Sequence, residues 1–354
     1  MDESQRAFLD ELLTTPSPSG FETRGQRVWV DYVSQFADRV ETDPYGNAVA
    51  VHEGDPAVDT EFAVGGHADE IGFIVRDILD DGFLRISRVG GSDRTVSKGQ
   101  HVTVHADDGP VQGVIGQTAI HLRQGDEEYE EISEQFVDVG AEDEEDAEEL
   151  LSIGDPVTFS SEVQELANGR IAARGVDNRA GTWIAAEALR RATEAGADAT
   201  VYAVSTVQEE VGLNGARMVG FDVNPDAYVA VDVTHATDNP DVAGSARGPV
   251  ELSEGPVVGR GSANHPNLVE LARESGDEAD VDYQLQAAGS RTGTDADGVF
   301  TQKGGVPSLN VGIPNRYMHT PVEVVDVADL DAVADLCAAM AERAGEHAPF
   351  AVDI

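Results

Sequence analysis

Two adjacent acids, Glu209 and Glu210, follow an apolar run, Val201-Tyr-Ala-Val-Ser-Thr-Val207. A glycine comes soon after, and a second turn signal stands at Asn214-Gly215. This pattern predicts a buried strand that stops, with both carboxylates in the loop at its C-terminal end. Neighbours within a strand point to opposite faces, so both acids serve one site only where the backbone has left the strand. The same order, strand and then ligand, recurs along the chain. His67 follows Glu61-Phe-Ala-Val-Gly65, with Asp69 two residues on. Asp232 follows Ala227-Tyr-Val-Ala-Val231, and a loop reaching His319 follows Ser308-Leu-Asn-Val-Gly-Ile313. Asp177 stands at the mouth of a helical pattern.

Each residue has an ordinary explanation when taken singly. The two glutamates could form a solvated acidic loop, Asp177 an N-cap, and Asp69 a partner that only orients its neighbour. His67 could be a surface or satisfied core histidine, and His235 a plain loop residue. The repetition is what points elsewhere. In open α/β sheets the crevice at the carboxyl ends of the strands is where ligands bind. Histidine nitrogen and carboxylate oxygen, without cysteine, suit Zn²⁺, with Co²⁺ or Mn²⁺ as alternatives. The acids suffice for two ions sharing a bridging carboxylate at roughly 3.5–4 Å.

The elements that must position these residues are legible in outline. Phe8, Leu9, Leu12 and Leu13 share a helical face that ends at Pro16-Ser-Pro-Ser-Gly20, and a second amphipathic helix covers about 24–36. Strands at 46–51 and 61–65 lead to His67. From Ile71 the character changes to short strand patterns separated by glycine and aspartate turns: 71–79, 83–89, 101–105, 111–115 and 156–159. Such a run predicts an all-β module, such as a small barrel. It contains the strongest acidic run, 126–149, with a helix expected over 141–151. The α/β alternation returns at Gly169, with helices expected at 179–193, near Gly215, at 266–275 and at 327–344. The expected fold is therefore α/β, a mixed sheet flanked by helices with an inserted β-barrel. The expected divisions are 1–70 and 167–354 for the α/β part and 71–166 for the insertion.

Composition narrows the function. The chain has 354 residues, 40% hydrophobic and 25% charged, enough for a large core. No apolar run approaches the ~20 residues that span a bilayer. The opening Met1-Asp-Glu-Ser lacks the basic and apolar regions of a signal peptide, so the expected location is the cytoplasm. Cys337 is the single cysteine, which excludes a disulfide framework and a Cys-rich metal site. The net charge is −44, with 67 acids against 23 bases. Such a field repels nucleic acid and anionic membranes. It suits a surface built for molar salt, where the Debye length is about 3 Å.

Several ordered blocks together carry a resemblance. They are Gly66-His-Ala-Asp-Glu-Ile-Gly-Phe-Ile-Val75, Gly175-Val-Asp-Asn-Arg-Ala-Gly181, Thr206-Val-Gln-Glu-Glu-Val-Gly-Leu-Asn-Gly-Ala216, Val231-Asp-Val-Thr-His-Ala236, Gly293-Thr-Asp295 and His319-Thr-Pro-Val-Glu-Val-Val325. The chain resembles the tetrahedral dinuclear-metal aminopeptidases, a self-compartmentalising family that includes deblocking and glutamyl aminopeptidases. The resemblance implies that His67, Asp177 and Asp232 hold one metal and that Asp177, Glu210 and His319 hold the other, with Asp177 bridging. It implies Glu209 as general base and Asp69 as the residue that orients His67. It further implies peptide substrates with a free N-terminus, a dimerising β insertion and a homo-dodecamer built from dimers. Ala68, Asn214, Thr320 and the segment Asp297-Gly-Val-Phe300 depart from the family's usual residues.

Two rival functions have weaker support. A retaining glycosidase built on Glu209 and Glu210 needs its carboxylates about 5–5.5 Å apart and needs no histidines. Both tryptophans, Trp29 and Trp183, fall in helical patterns, which leaves no aromatic sugar platform near the strand ends. A non-catalytic, metal-stabilised assembly would not require both Glu209 and every ligand.

Overall fold

The computed structural model describes residues 1–123, 129–242 and 248–354. Its centre is an eight-stranded mixed sheet. Four adjacent strands of this sheet are parallel: Thr200–Thr206, Glu61–His67, Ala227–His235 and Ser308–Asn315, in that spatial order. They read as near-continuous apolar runs because helices cover both faces, the usual situation of a parallel sheet. Ala48–His52 and then Arg39–Thr42 extend the sheet on one side through antiparallel pairings; on the other, Val257–Arg260 pairs antiparallel to Ser308–Asn315 and parallel to Gln284–Ala287.

One face packs against the helices Glu3–Thr14, Val176–Ala195, Pro266–Ala279 and Val327–His347 in the largest core. Trp29 and Trp183 are buried in it, and their indole N–H groups donate to the Thr182 and Gln5 carbonyls at 2.8 and 3.0 Å. The tryptophans lie on helices, as the sequence pattern around them predicts, and the structure makes them core residues. The other face carries a smaller core under the helices Asn214–Asp222 and Asp295–Val299.

Leaving the central sheet after His67, the chain enters a closed six-stranded antiparallel barrel. Its order is Gly72–Ile78, Leu84–Val89, Phe136–Asp138, Gly109–Ile115, His101–Ala106 and Pro156–Phe159. Five of these strands match the alternating patterns in the sequence. The sixth, Phe136–Asp138, lies inside the acidic run, where three residues are too few to show alternation. Of that run, residues 126–128 lie outside the described residues. The helix expected over 141–151 is confined to Glu144–Glu148, capped by Asp143. Phe73, Ile86, Val102, Val104 and Val157 fill the barrel.

After the barrel, Arg170–Ala173 pairs with Gln164–Glu165 and with Glu323–Asp326 in a separate three-stranded sheet. Among the described residues no helix is long and apolar enough to cross a membrane.

Candidate metal centre

The parallel strands end side by side, and this brings their candidate ligands together. Glu61–His67 pairs with Thr200–Thr206 in a register that sets His67 beside Thr206, just before the two glutamates. Asp232 lies within its strand rather than after it, since that strand continues to His235. Asp177 arrives on the segment that opens the helix Val176–Ala195. Asp177 and Asn178 themselves have non-helical dihedrals, so the regular helix begins near the position its sequence pattern predicts. Close approach of this helix to the sheet depends on glycine. A Cβ on Gly66 would lie 2.5 Å from the backbone carbonyl carbon of Gly181.

Asp177 faces both histidines. Its Oδ1 lies 3.2 Å from His67 Nε2 and its Oδ2 lies 3.1 Å from His319 Nε2. Asp232 Oδ1 and Glu209 Oε2 are 3.7 and 3.9 Å from His67 Nε2. Glu210 Oε1 is 3.6 Å from His319 Nε2. Two clusters result, His67 with Glu209 and Asp232, and Asp177 with Glu210 and His319, each with its ligand atoms within 4.8 Å of one another. All seven residues singled out in the sequence meet in this region, with Asp69 behind it. The Asp69 carbonyl oxygen lies 3.1 Å and its Oδ1 3.3 Å from His67 Nδ1, which leaves Nε2 directed at the centre. His319 is held likewise, its Nδ1 lying 3.2 Å from the Gly91 carbonyl of the barrel segment.

The electrostatics fit a cation site. Burial, then the nearby Asp232, Asp295 and Glu210 charges acting against that of His67, push the Glu209 carboxyl up to about 10. Burial, then Asp177, push Glu210 up to about 8. Burial also raises Asp232. For His319 burial works downward, but hydrogen bonding to Asp177 and the surrounding acids outweigh it and lift the imidazole to about 9. His67 is raised in the same way against its burial, chiefly by Glu209. Asp177 is the exception. Burial would raise it, but the two histidines hold it well below the usual carboxylate range. Glu210 Oε1 is buried and has no hydrogen-bond partner among the described residues. Glu209, Glu210 and Asp232 are thus shifted as buried carboxylates without a sufficient positive partner are. Divalent ions would supply that partner, and the oxygen and nitrogen donor set suits zinc, cobalt or manganese.

Three supporting acids were not legible as such. Glu323 is fully buried, and its two oxygens accept the Asp177 and His319 backbone N–H groups at 3.1 and 2.9 Å. One carboxylate thus fixes the backbone of two candidate ligands 142 residues apart. Asp295 lies behind the cleft, accepts the Thr206 hydroxyl at 2.5 Å, and is pushed up to about 7 by burial. Glu22 is buried beside Asp69 and Gln208. The only sequence signal for Glu323 and Asp295 was their place inside the family-like blocks; Glu22 had none. The cleft in front of the ligands has a volume of about 720 Å³ and is lined also by Gly293, Thr294, Asp297, Arg217 and Arg291. Asp297 is occupied by its own loop, accepting the Thr292 N–H and hydroxyl and the Gly293 N–H.

Strand-end carboxylates and histidines thus converge at one edge of the sheet around a cleft suited to divalent cations. Residues 46–336 match the model of the M42 glutamyl aminopeptidase family, and the chain belongs to that family. It is 33% identical to a lysyl aminopeptidase of Pyrococcus furiosus, over 95% of this chain and 96% of that protein. Its structure is similar to that of an aminopeptidase from Desulfurococcus kamchatkensis, with a TM-score of 0.90, 34% identity and coverage of 97% and 96%. It is also similar to the TET1 peptidase of Pyrococcus horikoshii, which can assemble into a tetrahedron or a large octahedral shell. There the TM-score is 0.85 at 28% identity, with coverage of 95% and 99%. The protein is accordingly a metal-dependent aminopeptidase acting on peptides.

Proposed function

We propose that this aminopeptidase works with two divalent ions, zinc in the first instance. His67, Asp177 and Asp232 would hold one, and Asp177, Glu210 and His319 the other. The observation that carries this is the placement of Asp177, one carboxylate oxygen toward each histidine. Two ions held there would supply Lewis acidity toward the scissile carbonyl and the attacking water. Glu209, beside His67 but outside both proposed ligand sets, takes the proton of that water and returns it to the leaving amine. Asp69 orients His67 through Nδ1. A glycosidase reading has less support, because Glu209 and Glu210 each sit against a different histidine rather than flanking one open bond.

The barrel, with the divisions 1–70, 71–166 and 167–354, is proposed as the dimer contact of a homo-dodecamer. The assembly of the Pyrococcus horikoshii relative supports a closed shell. The net charge of −44 supports work in molar salt, in the cytoplasm of a salt-accumulating cell.

Two substitutions at the adjacent acids test the assignment. Glu209→Gln should keep metal content and fold while losing roughly 10²–10⁴-fold in turnover, the usual scale for a general base. Glu210→Gln and His319→Ala should each lose metal at the same position, and added metal should partly restore activity. If Glu209→Gln loses metal and Glu210→Gln retains it, the two roles are reversed.

A further inference from the structure

The loop carrying Glu209 and Glu210 faces a conflict. It must turn two adjacent side chains toward one site, and it must also satisfy buried backbone groups that have left the sheet ladder. Its carbonyls are met locally. Those of Val207, Gln208 and Glu209 accept the N–H groups of Gly215, Asn214 and both Gly212 and Leu213. Its N–H groups are met by side chains. Val207 N–H donates to Asn47 Oδ1 at 3.0 Å and Gln208 N–H to Glu22 Oε1 at 3.1 Å. Glu209 and Glu210 N–H donate to the two oxygens of Asp69 at 2.9 and 3.2 Å. Four consecutive amides are therefore gripped by three buried side chains from the first 69 residues of the chain.

Asp69 has other work, against His67 and the Ser19 hydroxyl. Glu22 does not. It immediately precedes the helix Thr23–Val33 but makes no side-chain cap to it. Its Oε1 instead accepts the Gly20 and Gln208 N–H groups, at 2.7 and 3.1 Å. Gln208 has φ of +57°, the left-handed conformation that turns the chain out of the strand, and such a conformation persists only where its surroundings enforce it. Asn47, 1% exposed, braces the residue before it, and Gly215 leaves room for the Asn47 amide.

We propose that Glu22 is a positioning residue for catalysis. By holding the Gln208 amide it sets the left-handed turn that aims the Glu209 carboxylate at the reacting water, with Asn47 as its support. This rests on the reading of Glu209 as the base. A buried acid is costly to keep, since burial and the Asp69 charge push Glu22 up to about 7, and the amide contact gives it a reason to be there.

The test measures kcat, KM, metal content and amide exchange together. Glu22→Ala should lower kcat about 10–100-fold, the scale of a small misplacement, with KM changed less than about twofold. Metal content per chain should be unchanged, and the metal-free chain should lose exchange protection over residues 207–210. Glu22→Gln keeps an acceptor oxygen and should recover most of kcat. Glu22→Asp, which keeps the charge but shortens the reach, should lose about 10-fold and serves as the test if the alanine variant does not fold. In a Glu209→Gln background Glu22→Ala should cost less than about twofold more, because both act through one group. Wild-type kcat in the folded alanine variant, or in the aspartate variant if the alanine variant does not fold, overturns the proposal. So does an equal loss in the Glu209→Gln background, or a glutamine variant as slow as alanine. If Glu209→Gln itself turns over at the wild-type rate, the base assignment falls. Glu22→Ala then decides the positioning claim alone, by a kcat loss at full metal content.

Discussion

Two groups of buried carboxylates meet at the Asp69–Glu70 peptide. Beyond Glu70, the charge is answered from inside the chain. Arg174 forms a close ion pair with it, and Arg179 Nη1 lies 2.9 Å from its Oε1. Although burial would raise it, these two guanidinium groups pull the Glu70 carboxyl down to about 2. Beyond Asp69, in the cleft, Asp177, Glu209, Glu210 and Asp232 have only His67 and His319 within ion-pair distance among the described residues. There Glu209 and Glu210 are pushed up rather than down. Glu70 is thus shifted down by its partners, whereas Glu209 and Glu210 are shifted up; Asp177, held down by the two histidines, is the cleft's exception. Glu70 is a finished structural ion pair. The cleft carboxylates are a set of oxygen donors beside two histidines, which suits divalent ions.

The largest effect that would break this contrast is at Asp177. Asp177→Asn should weaken metal binding at both positions and cost more turnover than Glu209→Gln, because it removes the charge that serves both. Turnover measured beside elemental analysis checks it, and loss of a single ion would mean that Asp177 does not bridge. Next comes Glu70→Gln, which leaves Arg174 and Arg179 buried without their counter-charge. Breaking such a group costs about 3–5 kcal/mol. Denaturant unfolding should register that loss, with metal stoichiometry unchanged.

Acid sharpens the same contrast. The folded pKa of Glu70 lies below its ordinary value of 4.5, at about 2, so the unfolded chain binds the proton more readily. The associated stability is complete above about pH 4.5 and is lost as pH falls toward 2, about 3 kcal/mol in all. Unfolding curves over that range should show a dependence that Glu70→Gln lacks. Salt gives the most diffuse effect. Screening should raise the melting temperature from millimolar to molar KCl, through the surface rather than through the Glu70 pairs. A flat profile would remove the case for a salt-adapted surface.

The contrast also marks what could be read from the sequence. Strand ends are local features, so His67, Glu209, Glu210 and Asp232 announced themselves by following or lying within apolar runs. Asp177 stood out because a helical pattern began just after it. The barrel was legible from its alternating strands, except Phe136–Asp138, which is too short for a period and surrounded by acids. Glu70 was not distinguishable from Asp69, because Arg174 lies 104 residues away and nothing local signals the pairing. Glu22 and Asn47 were invisible for the same reason, and Glu323 was marked only by its place inside a family-like block. Each acts on backbone amides of a distant segment, and side-chain-to-backbone contacts leave no mark on sequence periodicity.

Metal stoichiometry tests the central claim most directly. The chain would be stripped with chelator, dialysed against zinc at molar salt, and assayed for bound metal by elemental analysis. The contrast predicts two ions per chain for the wild type and for Glu70→Gln, and one for Glu210→Gln. A stripped chain that takes up no metal, or a Glu210→Gln chain that still takes up two, would contradict it.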